Sequence, residues 1–121
     1  MQHTSAEIKQ YLQERDWHNL KPANLAKSIS IEAAELLELF QWSDETLEEV
    51  KGNLQVIEEV KKELADVLIY CFNMAGLLDF DVKEIILAKL EQNRIKFPVD
   101  VVKGNQAAYY ERKKEYRRKG F

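Results

Sequence analysis

A chain of 121 residues is long enough for one domain with a real core and too short for two independent ones. Its 45% apolar and 32% charged residues are those of a globular protein, and no apolar run reaches the ~20 residues that cross a bilayer, so a soluble chain with no membrane partner is expected. A net charge of -3 supplies no field to draw the whole molecule to nucleic acid, although residues 112–119 are locally basic, and a nucleic-acid partner is not expected.

No basic, apolar and small-residue succession marks a signal peptide at the N-terminus. With only four glycines and two prolines, no internal repeat and no alternating apolar run, the chain reads as a single all-α domain over 1–121, its core about 5–100 and a charged tail about 105–121. Thr4 and Glu7 form a capping-box pattern for a first helix over about 5–15, with Ile8, Tyr11 and Leu12 inward. It stops before the loop Trp17-His18-Asn19. Pro22 suits the first turn of a second helix that continues to Trp42, and Ser43 then caps a short segment that breaks at Gly52-Asn53. A long third helix runs from about Leu54 to Leu78; it carries Cys71, whose lone thiol allows no internal disulfide and points to a cytoplasmic, reducing compartment. Asp79 or Asp81 caps a fourth helix patterned by Val82, Ile85, Ile86 and Leu90, which Pro98 ends after Phe97. The tail from Ala107 to Lys119 is expected to be partly helical and solvated, since its charges leave little apolar face.

The second helix contains an anomaly. At about 100° per residue, Leu25, Ile29, Leu36 and Phe40 share one narrow arc, and Glu32 falls in the same arc, with Glu35 to its side. Burying an ionised carboxylate without a partner is costly. The second half of the third helix offers no base in compensation; its charge is Asp66, with Glu63 one turn earlier on the same side. Two helices that each present an acidic pair at i, i+3 can, as antiparallel neighbours, bring four carboxylates together, and these cannot all stay ionised alone. The ordinary explanation of any single pair is an ion pair with a neighbouring lysine, but two such pairs beside apolar arcs favour a divalent cation. With oxygen donors only and no His or Cys near them in sequence, the ion expected is Mg2+, with Mn2+ able to substitute. Mg2+ usually arrives with phosphate.

Lys89, Asn93 and Lys96 recur at i, i+4, i+7 on the fourth helix and suit an anionic ligand; the ordinary explanation is lysine stems that cover the core edge and carry their ammonium groups to water. Trp17 and Trp42 stand in or beside loops, where they serve as core, as interface or as a sandwich for a nucleobase. His3 and His18 are both N-terminal, and no P-loop, Gly-x-Ser-x-Gly or other Gly-rich motif appears, which disfavours His-based triads and P-loop chemistry.

Three segments, Ile31-Glu-Ala-Ala-Glu-Leu-Leu-Glu-Leu-Phe-Gln-Trp42, Lys62-Glu-Leu-Ala-Asp-Val-Leu-Ile-Tyr70 and Asn93-Arg-Ile-Lys-Phe-Pro-Val99, resemble the small, single-domain branch of the MazG-type nucleotide pyrophosphohydrolases. The similarity covers about 14–109, and its signature of Glu-x-x-Glu followed by Glu-x-x-Asp on the next long helix is complete. The resemblance implies a four-helix bundle-like domain that assembles as a dimer or a dimer of dimers. It implies Mg2+ bound by Glu32, Glu35, Glu63 and Asp66, and cleavage of a nucleoside triphosphate, dCTP or a modified dNTP among the candidates, to the monophosphate and pyrophosphate, a house-cleaning of the nucleotide pool. Trp17 and Trp42 fall where the base is stacked; Tyr70, Lys89 and Asn93, with Lys96 in the same stripe, fall where sugar and phosphates are held. Glu35 and Glu38 are the candidates to orient the attacking water. One departure leaves base preference open: after Trp17 the segment His18-Asn-Leu-Lys-Pro-Ala-Asn-Leu25 is one residue shorter than in the dCTP-specific relatives and lacks their histidine before the proline.

Two other readings compete. A di-iron carboxylate bundle expects Glu-x-x-His pairs, and no histidine is expected in the bundle helices. A non-catalytic interaction module would use the same acids in interhelical ion pairs.

Overall fold

The computed structural model describes residues 2–120; Phe121, at the end of the predicted tail, lies outside them. All regular structure among the described residues is helical: α1 (Gln2–Glu14), α2 (Pro22–Glu38), α3 (Leu47–Lys51), α4 (Leu54–Leu77), α5 (Val82–Lys96), α6 (Val99–Val102) and α7 (Gln106–Arg118). The chain divides into two compact units, residues 1–81 and 82–121.

In the first unit α2 lies along α4, and α1 and α3 also pack on α4. α1 begins upstream of the predicted start, so Thr4 and Glu7 stand inside the helix and form no capping box; Glu7 instead meets His3 at 2.8 Å, one turn away. His3 therefore does lie in a helix, contrary to expectation, but its side chain is exposed and far from any Glu-x-x-His pattern. Of the three residues expected inward, Leu12 is buried and Ile8 half-buried, whereas Tyr11 stays exposed.

α1 and α4 end in the same way. The Trp17 N–H donates to the Leu12 carbonyl at 2.8 Å and the Asp16 N–H to Gln13 at 3.1 Å, which puts Asp16 at φ 56°. After α4 the Phe80 N–H donates to Ala75 at 2.8 Å and the Asp79 N–H to Gly76 at 3.3 Å, with Asp79 at φ 59°. Each closure satisfies the last helical carbonyls through one residue in the left-handed region, a place that Asp tolerates better than most side chains. Asp79 thus closes α4 and does not cap α5.

α2 takes Pro22 in its first turn as expected and buries Leu25 to 1% exposure, the largest side chain so completely covered. It ends at Glu38, four residues before Trp42. From there, turns closed by the Leu39, Phe40 and Ser43 N–H groups on Leu36, Leu37 and Phe40 carry the chain onward. These turns keep Leu39 and Phe40 half-buried, and an apolar pattern over so short a span does not distinguish turns from helix. Thr46, not Ser43, caps α3: its hydroxyl accepts from the Glu49 N–H at 3.2 Å, while Ser43 bonds Glu45. Asn53 caps α4 through the Val56 N–H at 3.3 Å.

In the second unit α7 packs on α5 and α6. The tail expected to be solvated is a capped helix, with Asn105 accepting from the Ala108 N–H at 3.1 Å. It docks through a stripe the charge count hid: Ala108, Tyr109, Arg112, Lys113 and Tyr116 are half-buried at helical spacing. Tyr109 stacks on Phe97 with centroids 4.9 Å apart, and Arg112 donates to the Lys96 carbonyl at 3.0 Å. Here aromatic rings and the stems of basic residues supply the apolar surface.

Leu25→Ala should lower the unfolding free energy by about 2–5 kcal/mol in denaturant titrations, since it opens a cavity at the best-covered position. At Asp16 the positive φ sets the order: Asp16→Gly should hold or raise the melting temperature, whereas Asp16→Val should cost about 1–2 kcal/mol.

Candidate active site

The packing of α2 on α4 carries the acidic pairs with it. Glu32, Glu63 and Asp66 each bring a carboxylate oxygen within 4.8 Å of the others. Glu35, one turn after Glu32, stands beside them, close enough for its carboxyl to act on both Glu32 and Glu63. Glu38 stands one turn further on, near enough for its charge to act on Glu63. Three of the four predicted metal ligands thus meet, with Glu35 beside them and Glu38 near enough to act on Glu63.

The cluster is under electrostatic stress. One oxygen each of Glu32 and Glu63, Oε2 in both cases, is buried with no hydrogen-bond partner. Burial pushes the Glu32 carboxyl up from its ordinary 4.5, helped by the Glu35 hydrogen bond and charge and then by Asp66 and Glu63. Glu63 is raised likewise, first by burial, then by Glu35, Asp66 and Glu38. No lysine or arginine among the described residues forms an ion pair with Glu32, Glu35, Glu63 or Asp66; the acids that do pair belong to other positions, such as Glu58 with Lys61 and Glu91 with Arg94. The ion-pair explanation of the acids lacks its cations.

Oxygen donors with unused buried lone pairs, mutually repelling and half-open to solvent, fit a hard divalent cation, which would satisfy the orphaned atoms and remove the repulsion together. Glu32, Glu63 and Asp66 are placed to hold it, with Glu35 at the edge.

Beside the cluster lies a cavity of about 650 Å3, within the range of small-molecule sites, between α1, the loop after it, α2 and α4. Asp66 belongs to both the cavity wall and the cluster. Trp17 and Tyr70, two of the predicted substrate contacts, line it. Trp17 is placed by the closure of α1 and by an edge-on contact with Tyr11, centroids 6.2 Å apart, while the Arg15 guanidinium sits 4.0 Å above the Tyr11 ring. Trp42 does not join them: it is 92% exposed, on the turns after α2, and is not part of the cavity wall.

Lys89, Asn93 and Lys96 sit on α5 in the second unit. Lys89 donates to Gln92 at 3.3 Å. Lys96 does not snorkel. It is buried, its ammonium lies 5.3 Å from the centroid of the Tyr116 ring, and burial followed by the nearby Lys89 charge pushes its pKa down.

Sequence reasoning passed over the polar residues of the cavity wall, namely Asn24, Ser28 and Asn73. Asn73 had a signal: it is a polar residue in the apolar second half of α4, seven positions after Asp66, on the face where i, i+4, i+7 places Tyr70 as well.

Residues 27–111 match the model of the MazG-like family. The chain is 32% identical over 102 residues to dCTP pyrophosphatase 1 of Bos taurus and 33% identical over 104 residues to dCTP pyrophosphatase 1 of Mus musculus, each match taking in 83% of this chain. It spans 60% of the length of these curated relatives. A crystal structure of a pyrophosphatase from Archaeoglobus fulgidus is similar in fold, with a TM-score of 0.71 and 38% identity over 81% of this chain and 92% of that one. With the family model matched along most of its length and the fold shared with a relative at that identity, the chain belongs to the MazG-like family.

Proposed function

We propose that the chain is a Mg2+-dependent nucleoside triphosphate pyrophosphohydrolase that converts a deoxynucleoside triphosphate, dCTP or a modified dNTP, to the monophosphate and pyrophosphate and so clears unwanted nucleotides in the cytoplasm. The observation that carries this reading is the unpaired carboxylate cluster opening, through Asp66, onto a cavity walled by Trp17 and Tyr70. The names of the relatives, dCTP pyrophosphatase and pyrophosphatase, supply the substrate class.

In this reading Glu32, Glu35, Glu63 and Asp66 hold the ion. When bound, Mg2+ supplies the positive charge that the triphosphate requires and lowers the pKa of water. Glu35, exposed at the edge of the cluster, orients a water and takes its proton as the water oxygen bonds to the α-phosphorus. The bond from that phosphorus to the oxygen bridging to the β-phosphorus breaks, and pyrophosphate leaves. Glu38 is the second candidate for the proton. Trp17 stacks the base and Tyr70 packs on the sugar; within the second unit, Lys89, Asn93 and Lys96 offer cationic and amide groups to an anionic ligand.

Trp42 is proposed to complete the base site once the chain is assembled as a homodimer or homotetramer. The exposed area supports assembly: 9753 Å2, where a folded monomer of 14.2 kDa exposes about 6,800 Å2 and two separate globules of the sizes of the two units about 8,000 Å2. Leu64 and Leu68 of α4 are among the large apolar side chains left open outside the cavity.

Glu35→Gln should reduce metal-dependent pyrophosphate release from dNTPs by at least about tenfold with the fold intact; unchanged turnover would remove Glu35 from the site. The raised carboxyls set a pH dependence as well. Because Glu32 and Glu63 titrate above their ordinary 4.5 in the folded state, their ionisation costs stability that is intact below that value and lost as pH rises through the raised range. In chelator, the melting temperature of the wild type should therefore fall relative to Glu32→Gln as pH rises from about 4.5 to neutrality. Saturating Mg2+ at neutral pH should restore it, by about 2.7 kcal/mol at one hundred times Kd. Parallel curves in chelator, with no response to metal, would leave the cluster without its ion.

A further inference from the structure

Asn73 is the one polar side chain of the cavity wall that the fold covers almost completely, at 3% exposure, and leaves with a buried, unpartnered Nδ2. Buried amide groups are nearly always hydrogen-bonded, so a donor left over on a cavity wall points to a partner that arrives with a ligand. An amide presents an acceptor and a donor pair side by side in one plane, and its complement is a planar edge carrying a donor beside an acceptor, as every nucleobase has.

The position along α4 specifies which part of a nucleotide would meet it. Asp66, Tyr70 and Asn73 all line the cavity from one face of the helix. Seven residues separate Asp66 from Asn73, a rise of roughly 10 Å along the axis, comparable to the reach of a nucleotide from its α-phosphorus to the far edge of its base. With the phosphates at the carboxylates, the sugar passes Tyr70 and the base edge arrives at Asn73, its ring flanked by Trp17.

We propose that Asn73 is a base-binding residue that hydrogen-bonds the polar edge of the nucleobase; the proposal rests on the cavity being the nucleotide site of the pyrophosphohydrolase inferred above. The amide can rotate to present either order of donor and acceptor, so Asn73 demands a polar edge on the base, and the cavity walls around it choose among bases by shape.

The test compares wild type with Asn73→Leu, which keeps the branched outline and removes the hydrogen bonds, and with Asn73→Ser, whose hydroxyl is too short to reach, should the leucine variant fail to fold. Pyrophosphate release is measured for the four common dNTPs and for deoxyribose 5-triphosphate, which has no base. In parallel, free deoxynucleosides, which need neither metal nor phosphate, are bound by equilibrium dialysis. The variant is expected to lose about tenfold or more in kcat/KM on the best dNTP, the equivalent of about 1.4 kcal/mol, with the baseless substrate unchanged and nucleoside binding lost. An equal loss on both triphosphates, or nucleoside binding that survives the substitution, overturns the role of Asn73. If the wild type hydrolyses no triphosphate, the pyrophosphohydrolase reading fails, and the dialysis alone decides whether Asn73 binds a base.

Discussion

The first unit depends on a conflict between packing and charge. α2 and α4 must lie together to bury Leu25 and the stripes around it, and the register that achieves this drives Glu32, Glu63 and Asp66 to within 4.8 Å of one another, with Glu35 alongside. A fold selected for stability alone would place apolar side chains there, since like charges at this range in a partly dry setting weaken the contact that creates them. Acids at such a place fit the proposed cation, whose charge would relieve that repulsion.

The surroundings of the cluster follow the same logic. The left-handed turn at Asp16 ends α1 in time to send Trp17 back over the cavity, and the same device at Asp79 stops α4 beyond Asn73. A small core, in which Leu12, Leu25 and Ala75 are the covered apolar residues, leaves room for a cavity of about 650 Å3 within one unit.

The acidic pairs were legible in the sequence because the helical period is rigid: a glutamate in an apolar arc keeps its place whatever the helix ends do. The ends themselves were not. Thr4 and Glu7 satisfy a capping pattern inside a helix that starts earlier, and Ser43 lost the α3 cap to Thr46 three residues later, since short polar side chains bond whichever backbone group the tertiary path brings near. The docking of α7 was hidden because hydrophobicity counts score Arg112 and Lys113 as solvent-facing, while their stems and the rings of Tyr109 and Tyr116 form its half-buried stripe. Asn73 escaped because an asparagine amid apolar residues carries no charge to demand explanation; only its burial without a partner makes it informative.

The claim on which the rest turns is that the carboxylate cluster is a divalent-cation site, and proton-linked metal binding tests it most directly. Metal-free protein is titrated calorimetrically with Mn2+ in buffers of different ionisation enthalpy, from mildly acidic to neutral pH, alongside Glu63→Gln. Carboxyls raised by burial and mutual repulsion must surrender their protons to the ion, so the wild type should bind Mn2+ with proton release that grows as pH falls, and the variant should bind weakly with less release. Absence of Mn2+ binding, or binding that Glu63→Gln leaves unaltered, would show that the four acids meet for some reason other than metal.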